Sequence, residues 1–258
     1  MFMPDLTVTI IFHHEGPLAI PALSSMHDLV RCAEQAGISI EARAVLDRPD
    51  ALTTRIVEAR GGWLHGVDVV SVGDLGLARN AGVKAAAGNY LAFLDGDDLW
   101  GSEWLARAYR AATTSPDRAI WHPQTLYYFT EADFNNHSVT RAPNPGTRSF
   151  FMHHSCSEHG FDPNVLFLNN IWTANVLSHR SVHEQFPYEP VNRAQGFGVE
   201  DWSWNIHTVW AGIHHRIVPD TVHLIRVKEA GSLGQQNSAE GLLSHLPPAA
   251  KPRLGASI

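Results

Sequence analysis

The chain has 258 residues, 44% hydrophobic and 17% charged, with a net charge of −7 when histidine is neutral. That length supports one large domain or two closely fused ones with ample core, and the composition is that of an ordinary globular protein. An acidic balance without a basic stripe argues against nucleic acid as the main partner, and two cysteines, Cys32 and Cys156, allow at most one disulfide and fit a reducing compartment.

In chain order, Leu6–Phe12 (LTVTIIF) predicts a strand. From Leu18 to Ala36, apolar residues at Ile20, Leu23, Met26, Val30 and Ala33 make a helical stripe, which Gly37 ends. SIEARAVLD reads as a second strand, Thr53–Ala59 as a helix, VDVVSV as a third strand, DLGLARNAGVKAAAG as a helix and YLAFLD as a fourth strand. Residues 101–112 read as a helix. Trp121–Tyr188 is rich in Pro, Asn, His and aromatics with weak periodicity, so large loops are expected there. Helical spacing returns at EDWSWNIHTVWAG, followed by a strand at TVHLIRV and a polar, then Pro-rich, tail.

Strand–helix alternation predicts an α/β fold with a mostly parallel sheet covered on both faces, joined to a less regular half. The expected divisions are 1–100 for the regular half, 101–227 for the less regular half of the same domain, and 228–258 for a mobile lid or tail. No run of about 18 apolar residues is present, and the N-terminus lacks the basic region of a signal peptide. The expectation is a cytoplasmic protein without a spanning segment; peripheral membrane contact and self-association stay open.

Open α/β sheets bind ligands at the carboxyl ends of their strands. There YLAFLD runs into Asp95, Gly96, Asp97 and Asp98, and ARAVL runs into Asp47. Two carboxylates one residue apart suit a hard divalent cation. The alternative is a solvated acidic turn, with Asp98 capping the helix that follows.

Gly76 to Asp98 (GLARNAGVKAAAGNYLAFLDGDD) resembles the nucleotide-sugar segment of family-2 glycosyltransferases of the GT-A fold, through Ala78, Arg79, Asn80, Gly82, Gly88 and the acid cluster. Glu200-Asp201-Trp202 resembles the E-D-W of that family, and His223 falls where the family often has a metal-binding histidine. The resemblance implies an inverting transfer of sugar from a nucleotide donor, UDP-linked by preference, to a hydroxyl of a glycan, glycolipid or small molecule. Mn²⁺ or Mg²⁺ would be held by Asp97 and His223, with Asp95 on the metal or the donor ribose. Phe12, Glu15, Asp47, Arg79, Gly96, Arg226 and Lys228 would line the donor, with Arg226 and Lys228 leading into the lid. Asp201 would be the general base and Glu200 would orient the acceptor.

The first loop reads FHHEGP where the family has Y-N, and the second LDRPD where it has D-D-G-S. Q-x-x-R-W is missing, which points to transfer of one or a few sugars. Trp172 is a candidate for stacking on an acceptor sugar or for core, and Trp202 is a weaker candidate whose helical spacing favours core. His153, His154 and His159 read as a polar acceptor loop rather than a zinc site, and His214-His215 as a helix cap. The rival readings are a sugar nucleotidyltransferase, which would have a Gly-rich basic N-terminal loop, and a protein that binds nucleotide sugars or glycans without turnover.

Overall fold

The computed structural model describes residues 3–132, 150–228, 237 and 239–246. The element order is β1 (Leu6–Phe12), α1 (Ala19–Gln35), β2 (Ile40–Asp47), α2 (Ala51–Arg60), β3 (Gly66–Val70), α3 (Leu75–Ala85), β4 (Tyr90–Asp95), β5 (Leu99–Trp100) and α4 (Trp104–Thr114). After these come β6 (Ala119–Phe129), β7 (Phe150–Met152), β8 (Leu177–His179), α5 (Arg180–Gln185), α6 (Glu200–Trp210) and β9 (His214–Arg226). One sheet carries the strands in the order β3-β2-β1-β4-β8-β6-β9-β5, with β7 beside β6.

The run β3-β2-β1-β4 is parallel. In β1 every residue is buried, as expected for a central strand covered on both faces. On one face Val8, Ile10 and Phe12 pack with Met26 and Leu29 of α1 and Trp104 of α4. On the other, Ile11, Val45 and Phe93 pack with Ala78 of α3. β8 enters antiparallel between β4 and β6, so the sheet passes without a break from the first hundred residues into the second half. The α/β architecture with helices on both faces is as the sequence predicts.

The stretch after Trp121 corrects the expectation of irregular chain. It opens with an 11-residue strand, β6, paired in parallel with β9. Pro123 hid it: the register shifts between Pro123 and Thr125, a bulge at which a residue without an N–H is tolerated. β9 likewise begins at His214, so His214 and His215 are strand residues and not a helix cap.

Within the expected tail, Leu243 exchanges backbone hydrogen bonds with Gly196 and Gly198, and Leu242 is buried. The His245 amide donates to Ser203 Oγ at 2.9 Å. Residues 239–246 therefore brace the start of α6, while 229–236 and 247–258 lie outside the described residues. No helix among the described residues is long and apolar enough to cross a membrane. Cys32 and Cys156 are both free thiols.

Candidate active site

The four-residue turn at the end of β4 depends on Gly96. A Cβ there would sit 2.4 Å from Phe12 Cδ1 and 2.5 Å from the Ile11 carbonyl oxygen, so only glycine lets the turn close over β1. Phe12 is fully buried beneath it. Each acid of the turn already has a cationic or N–H partner within the protein. Asp95 accepts from Arg79 Nη2 at 2.7 Å, and Asp97 pairs with the Lys228 ammonium at 2.5 Å. Asp98 meets His223 Nε2 at 2.8 Å and the Arg226 amide at 2.8 Å.

Asp98 is therefore no helix cap; Glu103 stands at that position of α4. Burial pushes the Asp98 carboxyl up to about 6, against the pull of His223. His223 is committed through Nε2 to Asp98, and its Nδ1 is buried without a partner. Arg226 closes the turn from the far side, its Nε donating to the Asp97 carbonyl at 2.9 Å and its guanidinium pairing with Glu131.

Arg79 stands behind the acid turn. Its side chain is 1% exposed and joins Asp95 to Glu200. Burial opposes its charge, but the two carboxylates outweigh that and hold the guanidinium protonated. Gly76 makes the junction possible, because α3 approaches so closely that a Cβ there would lie 3.0 Å from Glu200 Cβ. Arg79 thus ties the end of β4 to the start of α6. Glu200 is buried, and its Oε1 accepts from Arg79 Nη1.

Asp47 is held by the loop after β3. Its Oδ1 accepts from the Val72 and Gly73 amides at 2.8 and 3.0 Å, and its Oδ2 from the Asp74 amide at 3.1 Å. The carboxylate organises the loop between β3 and α3 and has little capacity left for a base. Glu15 accepts from the His13 amide. Burial, with the Asp97 charge added, pushes its carboxyl up to about 7.

Asp201 begins α6 beside Glu200, after Val199 in the left-handed region (φ 58°), a strained conformation for a β-branched residue. Its Oδ2 accepts from Asn170 Nδ2 at 3.0 Å, and Asn170 Oδ1 accepts from Asn205 Nδ2 at 2.9 Å, which fixes the amide. Withdrawal from solvent and then the Glu200 charge push the Asp201 carboxyl up to about 7; Arg79 pulls the other way. Asp201 lines a cavity of about 830 Å³ together with Phe151, Met152, His153, Phe161 and Trp172, among others.

The two tryptophans are anchored. Trp172 is buried, stacked on His215 at 4.2 Å, with Nε1 donating to the His154 carbonyl at 2.8 Å. Trp202 is half-buried and donates Nε1 to the Leu166 carbonyl at 2.6 Å. Stacked against His215, His122 and Phe161, Trp172 has no free face for a sugar, and it borders the cavity. His153 is buried, its Nδ1 bonded to the Pro123 carbonyl at 2.7 Å. His154 pairs with Glu158. No group of three or more His, Cys, Asp or Glu among the described residues is arranged to hold a metal. Sequence reasoning missed Asn170, which orients Asp201; the Asn pair in LNNIW was its only signal.

A model of the glycosyl transferase family 2 matches residues 53–166, less than half of the chain. Among solved structures, the chain is similar to the mannosyltransferase PcManGT from Pyrobaculum calidifontis in complex with GDP-Man and Mn²⁺, with a TM-score of 0.60 and 16% identity over 93% of this chain and 62% of that one. S. aureus TarS 1-349 gives a TM-score of 0.53 at 14% identity, over 87% of this chain and 58% of that one. The TarS 1-349 complex with UDP-GlcNAc gives 0.54 at 15%, over 88% and 60%. The chain thus spans about three fifths of these relatives. Such likeness is one of fold, and the fold is that of GT-A glycosyltransferases. No curated protein matches the chain in sequence.

Proposed function

We propose that the protein transfers a sugar from a nucleotide-sugar donor to an acceptor hydroxyl, by direct displacement with inversion and with Asp201 as general base. The observation that carries this reading is the Asp201 carboxyl, raised to about 7 at the edge of a large cavity and linked through Glu200 and Arg79 to the acid turn. A base is most effective when its pKa lies near the working pH. Asn170 holds one oxygen of Asp201 and leaves the carboxylate a fixed direction from which to take the acceptor's proton. A single carboxylate suffices for inversion, because no covalent sugar–enzyme intermediate is formed.

The similarity to structures that hold GDP-Man with Mn²⁺ and UDP-GlcNAc supports a nucleotide-sugar donor, which the reading takes to be UDP-linked. Asp97 suits a divalent ion: its carboxylate already holds a cation, the Lys228 ammonium, and the carboxyl of Glu15 feels its charge. Asp97 would hold Mn²⁺ or Mg²⁺ with the donor phosphates, and the unpartnered Nδ1 is the only nitrogen of His223 left for such a role. When bound, the ion would offset charge on the departing diphosphate. Lys228, whose charge is favoured by Asp97 over the cost of burial, would then turn to the phosphates.

Asp201→Asn tests the reading. Donor binding should persist while turnover falls by at least 10²-fold, and in the wild type kcat/KM should rise with pH through about 7. Wild-type turnover in the variant would remove Asp201 from the reaction.

A further inference from the structure

One face of the sheet leads from the acid turn to the cavity beside Asp201. β6 and β9 run parallel with Leu126 opposite His223 and Tyr128 opposite Ile225, and β7 sets Phe151 opposite Leu126. Residues two apart on a strand share a face, so Leu126, Tyr128, His223 and Phe151 stand on the same side. The Phe151 ring meets the Tyr128 ring edge-on at 5.7 Å, as that placement requires. From this face His223 reaches Asp98 through Nε2 at 2.8 Å. Leu126, Tyr128 and Phe151 line the same cavity of about 830 Å³ as Asn170 and Asp201. Around Tyr128 the polar groups named so far are spent within the protein: Asp98 on His223 and the Arg226 amide, Asn170 on Asp201, and His153 Nδ1 on the Pro123 carbonyl. Tyr128 is half-buried, and its hydroxyl has no hydrogen-bond partner among the described residues. Withdrawal from solvent, and then the Asp98 charge, push the phenol above its ordinary value, so it remains an O–H.

We propose that Tyr128 is a specificity-determining residue whose hydroxyl bonds a hydroxyl of the sugar being transferred. This rests on the transfer reading above, in which the acid turn takes the diphosphate of the donor and Asp201 takes the proton of the acceptor, so that the sugar lies in the cavity that joins them. Tyr128 meets both conditions of place, since it lines that cavity with Asp201 and stands one strand position from the His223–Asp98 pair. A phenol both donates and accepts, which matches a sugar hydroxyl that does the same. Once the sugar excludes water from a half-buried position, a hydroxyl left without its partner is costly, and that cost is what lets such a contact select among sugars.

Tyr128→Phe removes the oxygen alone and tests this by calorimetric titration of the whole protein with Mn²⁺ and UDP, GDP or their hexose conjugates. For a conjugate that the wild type binds, Kd should rise about fivefold or more in the variant, while Kd for the parent nucleotide changes less than about twofold. The melting temperature should not move, because the hydroxyl holds nothing in the fold. Among mono-deoxy forms of that conjugate, one should bind the two proteins alike, and it identifies the hydroxyl that Tyr128 meets. An unchanged affinity for the conjugate, an equal loss for conjugate and parent nucleotide, a difference that survives in every mono-deoxy form, or a lowered melting temperature overturns the proposal and leaves the transfer reading in place. A wild-type protein that binds neither nucleotides nor conjugates overturns both.

Discussion

Replacing Arg79 by Met keeps most of the side-chain volume and removes the charge that joins two acids. The loss falls unequally. Glu200, with a side chain 6% exposed, is left as a buried carboxylate without a countercharge, whereas Asp95, 32% exposed, can recover water. Breaking a buried pair from one side costs about 3–5 kcal/mol, and the exposed partner adds little. Against a total stability of about 5–15 kcal/mol this is severe. With a urea m-value near 2 kcal/mol/M, the midpoint should fall by roughly 1.5–2.5 M at constant m. Arg79→Lys should recover only part, because one ammonium cannot serve two carboxylates as a fork does. Arg79→Met/Glu200→Gln removes the stranded charge and should regain about 1–3 kcal/mol over the additive sum. Tryptophan fluorescence during urea titration reads all five proteins: the wild type, Arg79→Met, Arg79→Lys, Glu200→Gln and the double variant. Additivity within about 0.5 kcal/mol, or a midpoint for Arg79→Met near that of the wild type, would refute the bridge. The Lys variant also carries an activity prediction. Arg79 lowers the Asp201 carboxyl from a distance, so a weakened charge there should move the acid limb of kcat/KM above about 7.

Two further perturbations separate structural from functional roles. Asp47→Asn can satisfy the Val72 and Gly73 amides through its oxygen but turns an NH₂ toward the Asp74 amide; the expected loss is about 1–3 kcal/mol by thermal melt, with nucleotide affinity changed less than threefold. A tenfold loss of affinity at unchanged stability would restore the base-holding role. His183 is buried among Phe93, Tyr188 and Trp204 with both ring nitrogens unpartnered, and burial lowers it to about 3 from an ordinary 6.5. Above pH 6.5 the ring is neutral whether folded or not; below, the unfolded chain takes up a proton that the fold refuses, so stability falls by about 1.4 kcal/mol per pH unit down to about pH 3. His183→Phe should therefore gain on the wild type as pH drops, by about 1.4 kcal/mol at pH 5.5, and parallel acid limbs would contradict this.

The parallel run β3-β2-β1-β4 was legible because each strand is a short apolar run between helical stripes and glycines, and such patterns depend on local spacing alone. β6 was not, because its central Pro123 reads as a breaker until the bulge against β9 is known. Among the site residues, the acids of DGDD and of EDW could be found by type and place, but their partners could not. Arg79 and Glu200 are 121 residues apart, and His223 and Asp98 are 125 apart. Only the fold reveals that Arg79 faces inward, that Asp47 serves a loop, or that Trp172 is covered on its face by His215.

The density of acids at the end of β4 is then explained without a single bound cation common to all three. Asp98 fastens the turn to β9, Asp95 fastens it through Arg79 to α6, and Asp97 is the member whose partner, Lys228, sits at the end of the described chain before 229–236. Two of the three charges are spent within the protein on holding geometry, so that the third is presented in a fixed position. The same economy holds at α6, where Glu200 is spent on Arg79 and Asp201 is left facing the cavity. In each acidic motif one carboxylate, Asp95 or Glu200, is held by Arg79, and the reading proposed above gives the chemistry to Asp97 and Asp201. In the fold, the end of β4 and the start of α6 are thus held together through one buried guanidinium.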